Sequence, residues 1–363
     1  MRHPFAFPLT ILLLAAPLAA SAAPPASPDD PVALMDVGHF KQARTLIEAR
    51  AKASPDAAST LYLLSRLELA GGKAREALPL AERAAALEPG HVDYRYQVAE
   101  CVGSLAEHAG ALKGLGLAKR FKREALAARA LDPRHVEAID GLIEFYSVAP
   151  GIAGGDDKRA AALADSLVAI DAVRGRLAQA KLAFRDKQAA RGEAALRQAV
   201  EADPNSYPAR IALARFCTGE AQKKWEEAEQ HARAALALDR SRVSAWALLA
   251  YLYAHLQRWD DLDRTLAEAG RAVPDDLAPC YQAARTLLLD DREPARAEHW
   301  FRKYLTLEPE PGSPTLAHAH WRLALAIEKQ GRRPEALAEI ETALQLKPDL
   351  DEAKKDLKRL KRG

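Results

Sequence analysis

The chain has 363 residues, 49% of them apolar and 28% charged, a composition in which almost every stretch can bury one face and which implies no long disordered segment. Lys and Arg total 52 against 50 Asp and Glu, so the field of the whole protein is weak and carries no electrostatic footprint for DNA or RNA. Nucleic acid is therefore not an expected partner.

Arg2 supplies a positive opening, Phe5 to Leu18 form an apolar run, and Ala20-Ser21-Ala22 has the small-x-small pattern of a signal-peptidase site. Residues 1–22 read as a signal peptide cleaved after Ala22. Its apolar run is too short to span a bilayer, which takes about 20 residues. No Cys lies near the cut to carry a lipid anchor. Residues 23–31, with prolines at 24, 25, 28 and 31, read as a flexible leader. An exported protein without a transmembrane segment is expected, periplasmic if the source is a Gram-negative bacterium.

Residues 32–348 repeat. Ala84-Ala85-Ala86-Leu87-Glu88-Pro89 closes one unit, and comparable endings reach Pro133, Pro204 and Pro348. Pro55 precedes Pro89 by 34 residues, as Ala43 precedes Ala77 and as Arg240, standing where a proline would be, precedes Pro274. Gly72, Ala77, Ala81, Ala84 and Pro89 of one unit match Gly331, Ala336, Ile340, Ala343 and Pro348 of the last. Each has a physical role. Glycine ends the first helix in a left-handed residue, small alanines let two helices approach, and proline cannot continue a helix.

About nine units follow, with second helices centred near Ala43, Ala77, Ala125, Ala164, Leu196, Ala232, Leu266, Phe301 and Ile340. The first has a truncated opening helix, Val32 to Val37. The fifth, Val173 to Pro204, has Lys187 at its turn and Gly192 where alanine is usual. The seventh, Val243 to Pro274, has Gln257 in place of the turn glycine. Two insertions break the period, about ten residues around 109–117 and about five in 149–155, and both are expected to form surface loops. Asp156 or Asp157 should cap a helix starting near Lys158. Residues 349–363 read as a terminal capping helix. Asp349 and Glu352 form a potential capping box, and Leu350, Ala353, Leu357 and Leu360 make one apolar stripe. Its basic run, Lys354 to Arg362, reads either as a solvated cap face or as a membrane-surface patch.

Catalytic signatures are missing: there is no Gly-x-Ser-x-Gly, His-Glu-x-x-His or Cys-x-x-Cys. His318 and His320 stand two apart on a helix and point in different directions, so they cannot share a metal. Residues 151–158 resemble a phosphate cradle superficially but lack the Gly-Lys-Ser/Thr ending. Cys101, Cys217 and Cys280 each fall in an apolar helical pattern and read as small buried hydrophobes. No enzyme activity, cofactor or metal is expected.

The 34-residue period with these marks resembles the tetratricopeptide-repeat family, here as an exported bacterial type, over nearly all of the mature chain. The resemblance implies an all-α fold of tandem helix-turn-helix repeats in a right-handed superhelical solenoid, with partner segments lying in a concave groove lined by the first helices. Carried over unit by unit, the groove positions are Tyr62 and Arg66, Tyr96 and Glu100, Asp140 and Glu144, Lys181 and Arg185, Arg215, Tyr251 and His255, Tyr281 and Arg285, and Trp321. Aromatics beside arginines are the residue types that supply binding hot spots, though each aromatic could equally pack against a neighbouring unit. Members that clamp chaperone C-termini use asparagines on first helices. The single asparagine here, Asn205, sits in an inter-repeat turn, which argues against that use. Two functions remain open: a periplasmic scaffold or adaptor for other proteins or peptide segments, and a carrier or sensor enclosing a small ligand.

Overall fold

The computed structural model describes residues 29–362, so the expected signal peptide and residues 23–28 of the expected leader lie outside the described residues. The end of that leader is helical. Asp30 accepts a hydrogen bond from the Val32 amide at 2.9 Å and caps a helix that begins at the buried Pro31.

Helices follow one another in antiparallel pairs. The first five pairs are α1 (Pro31–Val37) with α2 (Phe40–Ala53), α3 (Ala58–Ala70) with α4 (Ala74–Leu87), α5 (Val92–Glu107) with α6 (Ala111–Leu131), α7 (Val136–Val148) with α8 (Asp157–Val168), and α9 (Ala172–Arg185) with α10 (Ala189–Ala202). Four more are α11 (Tyr207–Cys217) with α12 (Trp225–Leu238), α13 (Val243–His255) with α14 (Trp259–Ala272), α15 (Ala278–Leu289) with α16 (Pro294–Tyr304), and α17 (Leu316–Glu328) with α18 (Arg333–Leu346). A single helix, α19 (Asp351–Arg362), ends the chain. The result is an all-α helical-repeat solenoid.

Small residues set the spacing within a pair. Ala77, Ala81 and Ala84 of α4 are fully buried, as are Ala336, Ile340 and Ala343 of α18, so each second helix presses closely on its neighbours. The turn demands a left-handed residue whatever the sequence provides. Gly72 and Gly331 adopt φ of 75° and 77°, and Lys187 and Gln257 are forced to 60° and 57° in the corresponding places. For those side chains the conformation costs roughly 1–2 kcal/mol. Packing of the flanking helices holds it.

The two insertions behave differently. The extra residues of the third unit do not form a loop: they lengthen α5 and α6, leaving only residues 108–110 as a turn. Leu117 packs on the Ala81–Val98 cluster and Ala118 on the Ile139–Leu142 cluster, so helix continuation buries surface that a loop would leave wet. The second insertion is the expected widened turn, with a 3-10 turn at Gly151–Ala153 and Gly154 at φ 98°. Asp156 caps α8 by accepting from the amides of Lys158 and Arg159 at 3.0 and 3.1 Å. A further long connection, residues 305–315 between α16 and α17, carries Pro309, Pro311 and Pro314.

Successive first helices touch all along the array from α3 to α17, whereas among the described residues successive second helices make no comparable contact. The layer with the closer spacing is the inner one. Curvature then brings the ends together. At the start of α2 the Lys41 amide donates to the Glu310 carboxylate at 3.1 Å, and Lys41 Nζ donates to the carbonyls of Glu308, at 2.8 Å, and Asp275. Gln42 donates to Asp275 at 2.9 Å. Glu310, Asp276 and His39 are buried at this junction, so the second helix of the first unit is seated on the connections flanking the eighth.

α19 covers the last pair through Leu350, Ala353 and Leu360, which are buried. The capping box does not form. Leu350 stands at the helix start, its carbonyl accepting from the Lys354 amide at 3.1 Å, and Asp349 lies a residue too early to reach N3. Cys101, Cys217 and Cys280 are all free and buried, and burial pushes their thiols up to about 11, 11 and 12. Thiol titration of denatured, unreduced protein should find all three free; one or fewer would contradict these contacts.

Candidate partner-binding face

The inner face has two sectors of opposite character. The first is built by α3, α5, α7 and α9. Tyr62 lies with its ring 5.0 Å from that of Tyr94, and Arg66 is held 2.7 Å from Asp36 of α1. Tyr96 is only 8% exposed. Its hydroxyl rests against Gly141 of α7, where a β-carbon would come within 2.2 Å of it, so glycine is what lets this ring pack. Glu100 makes no ion pair among the described residues, and burial, helped by Glu137 and opposed by Arg66, pushes its carboxyl up to about 7. Asp140 lies 3.3 Å from the buried Arg174, yet burial outweighs the pull of Arg174 and Lys181 and raises it to about 6. Glu144 pairs with Lys181 at 2.9 Å, and Arg185 pairs with Asp157 at 2.9 Å.

The second sector is built by α11, α13, α15 and α17. Tyr251 and His255 stack with ring centres 5.8 Å apart, and His255 bonds Asp290 at 2.7 Å. Tyr281 is buried against Phe301 and Tyr304, with ring centres at 5.5 and 5.0 Å. Trp321 donates its indole N–H to Asp356 of α19 at 2.8 Å, and the Arg322 guanidinium lies 4.6 Å from the Trp321 ring centre. Arg285 is half-buried, with Tyr251, Tyr281 and Arg322 around it. Burial, and then the like charge of Arg322, holds Arg285 below the usual arginine range. Arg215 reaches water at its surface, and the protein packed around the rest of it lowers it too.

The positions carried over by resemblance therefore divide. Tyr96 and Tyr281 pack in the core, and Arg66, Asp140, Glu144, Lys181, Arg185, His255 and Trp321 are engaged with other side chains of this chain. Glu100, Arg215 and Arg285 make no ion pair among the described residues, while arginines on second helices, such as Arg197, Arg258 and Arg332, are held by carboxylates at 2.5–2.7 Å. Arg322, Glu137 and Arg174 belong to the same face and were not singled out from sequence. Arg322 could have been found as the cation beside Trp321. The partners of Arg174, Glu137 and Asp140, come from the preceding unit, which no local pattern connects to it.

Among the described residues no cluster of three or more His, Cys, Asp or Glu side chains is arranged to hold a metal, and no helix is long and apolar enough to cross a membrane. Recesses of about 250 and 240 Å³ lie respectively between α14, α15 and α16 and between α9 and α10. Neither touches the insertions at 109–117 or 149–155.

No protein-family model and no curated protein sequence matches the chain. Solved structures do. Yeast Tom70 superposes with a TM-score of 0.53 at 14% identity, over 91% of this chain and 80% of that one. A monomeric variant of human IFIT1, solved with m7Gppp-AAAA, gives a TM-score of 0.52 at 14% identity over 92% of this chain and 79% of its own. TTC0263, described as a thermophilic TPR protein of Thermus thermophilus, is 22% identical over 52% of this chain and 96% of its own, with a TM-score of 0.47. At these identities the likeness is one of fold alone, an all-α helical-repeat solenoid.

Proposed function

We propose that this chain is an exported, non-catalytic adaptor, periplasmic in a Gram-negative source, that holds a segment of a partner protein along the inner face of its solenoid. The observation that carries this reading is the set of inner-face side chains that have no ion-pair partner among the described residues. Glu100 and Arg285 point to a ligand that supplies the missing counter-charges, because uncompensated charge in a desolvated groove is costly, and Arg215 offers a further unpaired cation on the same face. Tyr251 adds aromatic surface beside Arg285, the pairing typical of hot spots. A small-ligand carrier would call for an enclosed cavity at the inserted segments, and the recesses described lie elsewhere.

The test is capture of partners from periplasmic extract by the parent protein and by the triple variant R215A/Y251A/R285A. Helicity should be retained, since alanine is the best helix former, while binding should weaken by at least about 1–2 kcal/mol, the scale of a lost hot spot. Arg264→Ala is the outer-face control, its side chain being 63% exposed. Arg233 is unsuitable for that purpose because it donates to the Tyr253 hydroxyl at 2.8 Å. A triple variant that binds as tightly as the parent removes the inner face from consideration.

A further inference from the structure

Resting on that reading, we infer that the segment held by the inner face is a charge-segregated polypeptide, with an acidic stretch over Arg285 and Arg322 and a basic stretch over the carboxylates of α5 and α7. The two sectors differ in sign and stand at different places along the solenoid. On α5 and α7 the carboxylates Asp93, Glu100, Glu137, Asp140 and Glu144 outnumber the basic groups that face them, Arg174, Lys181 and His135, the last bonded to Asp93 at 2.9 Å. Arg66 also acts on Glu100, but its own ion pair is with Asp36. Glu100 is the carboxylate left over. On α15 and α17, Arg285 and Arg322 repel each other, and the nearby carboxylates are engaged elsewhere, Asp290 with His255 and Asp356 with Trp321. A ligand carboxylate seated between two guanidinium groups would accept from both and relieve that repulsion.

The acidic sector also decides between polyanions. A nucleic acid carries one sign of charge throughout, so the part lying over Glu100 and Asp140 would be repelled while the part over Arg285 was attracted. A peptide can reverse its sign along its length. From α7 to α15 is four first-helix spacings of about 8–10 Å each, a span that roughly ten to twelve extended residues cover. The acidic and basic stretches should therefore be separated by a linker of about that size.

The experiment uses synthetic fluorescent peptides and the full mature chain. One probe joins four Glu to four Lys through ten Gly/Ser residues; others of the same length carry only the Glu block, only the Lys block, or neither, and a single-stranded RNA oligonucleotide is included. The two-block probe, in one of its two chain orders, should bind at least tenfold more tightly than any single-block probe, with affinity falling as salt rises. The double variant R285E/R322E should lose that preference and gain at least tenfold for the Lys-only probe, a swap that misfolding cannot produce. Equal binding of the Glu-only probe, tighter binding of the RNA, or no binding of any probe would overturn the inference. A captured partner that still depends on Arg215, Tyr251 and Arg285 but is indifferent to R285E/R322E would leave the adaptor reading standing while removing this one.

Discussion

Lys41→Glu is expected to open the solenoid. In the parent, Lys41 donates from its ammonium to the Glu308 and Asp275 carbonyls and from its amide to Glu310, which is only 3% exposed. Reversing the charge puts a fourth carboxylate beside Glu310, Asp275 and Asp276. Leaving a buried charge uncompensated costs about 3–5 kcal/mol, enough to break a junction made of a few hydrogen bonds. Small-angle X-ray scattering should report a larger radius of gyration with unchanged helicity by circular dichroism. The junction also predicts a pH dependence. Burial raises Glu310 to about 7, with Lys41 opposing and Asp276 and Asp275 adding to the shift, and Glu308 and His39 stand nearby. A carboxyl whose pKa is higher in the closed state than in the open one takes up a proton on closing. Closure is thus strongest at low pH and weakens as pH rises through about 7. Glu310→Gln should make the radius of gyration independent of pH between 5.5 and 8.5. A parent whose dimensions match those of Lys41→Glu at every pH would show that the ends do not meet in solution.

Deleting residues 349–363 should cost at least as much. Leu350 and Leu360 are 3% and 4% exposed on the last pair, and Leu357 packs beside them. Each buried leucine contributes about 1.5–3 kcal/mol, so the truncated chain forfeits on the order of 5 kcal/mol and uncovers the apolar side of α17 and α18. Trp321 loses Asp356, and Glu328 loses Arg359, which holds it at 2.7 Å. A lower melting temperature and self-association by light scattering are expected. An unchanged melting temperature with a monodisperse sample would count against the capping role.

The repeat is legible because its marks are local. A left-handed turn residue, alanines at the helix crossing and a proline at the unit end each act within a few residues of where they stand, and one unit's pattern predicts the next. Even the substitutions at Lys187 and Gln257 leave the turn intact, since the helices on either side fix its geometry. The third unit's extra residues misled for a related reason. Counting a period measures length and not conformation, so about ten residues around 109–117 could be seen as surplus without showing that Leu117 and Ala118 had cores to join. The connection at residues 305–315 escaped notice because its proline lies only slightly out of step.

By itself, then, the sequence determined the helix pairs and the small-residue crossings, which follow from helical periodicity, while Tyr62, Glu100, Arg215, Tyr251 and Arg285 were assigned to one face by the resemblance. Only the tertiary structure decided which of those side chains are free. Arg66 is paired with Asp36 thirty residues earlier and Asp140 with Arg174 in the next unit, whereas Arg285 has Arg322 near it and no ion pair among the described residues. The meeting of Lys41 with Glu310, across 269 residues, is likewise a sum of small rotations between successive pairs. No single unit encodes it, because the angle each contributes is set by packing against its neighbours.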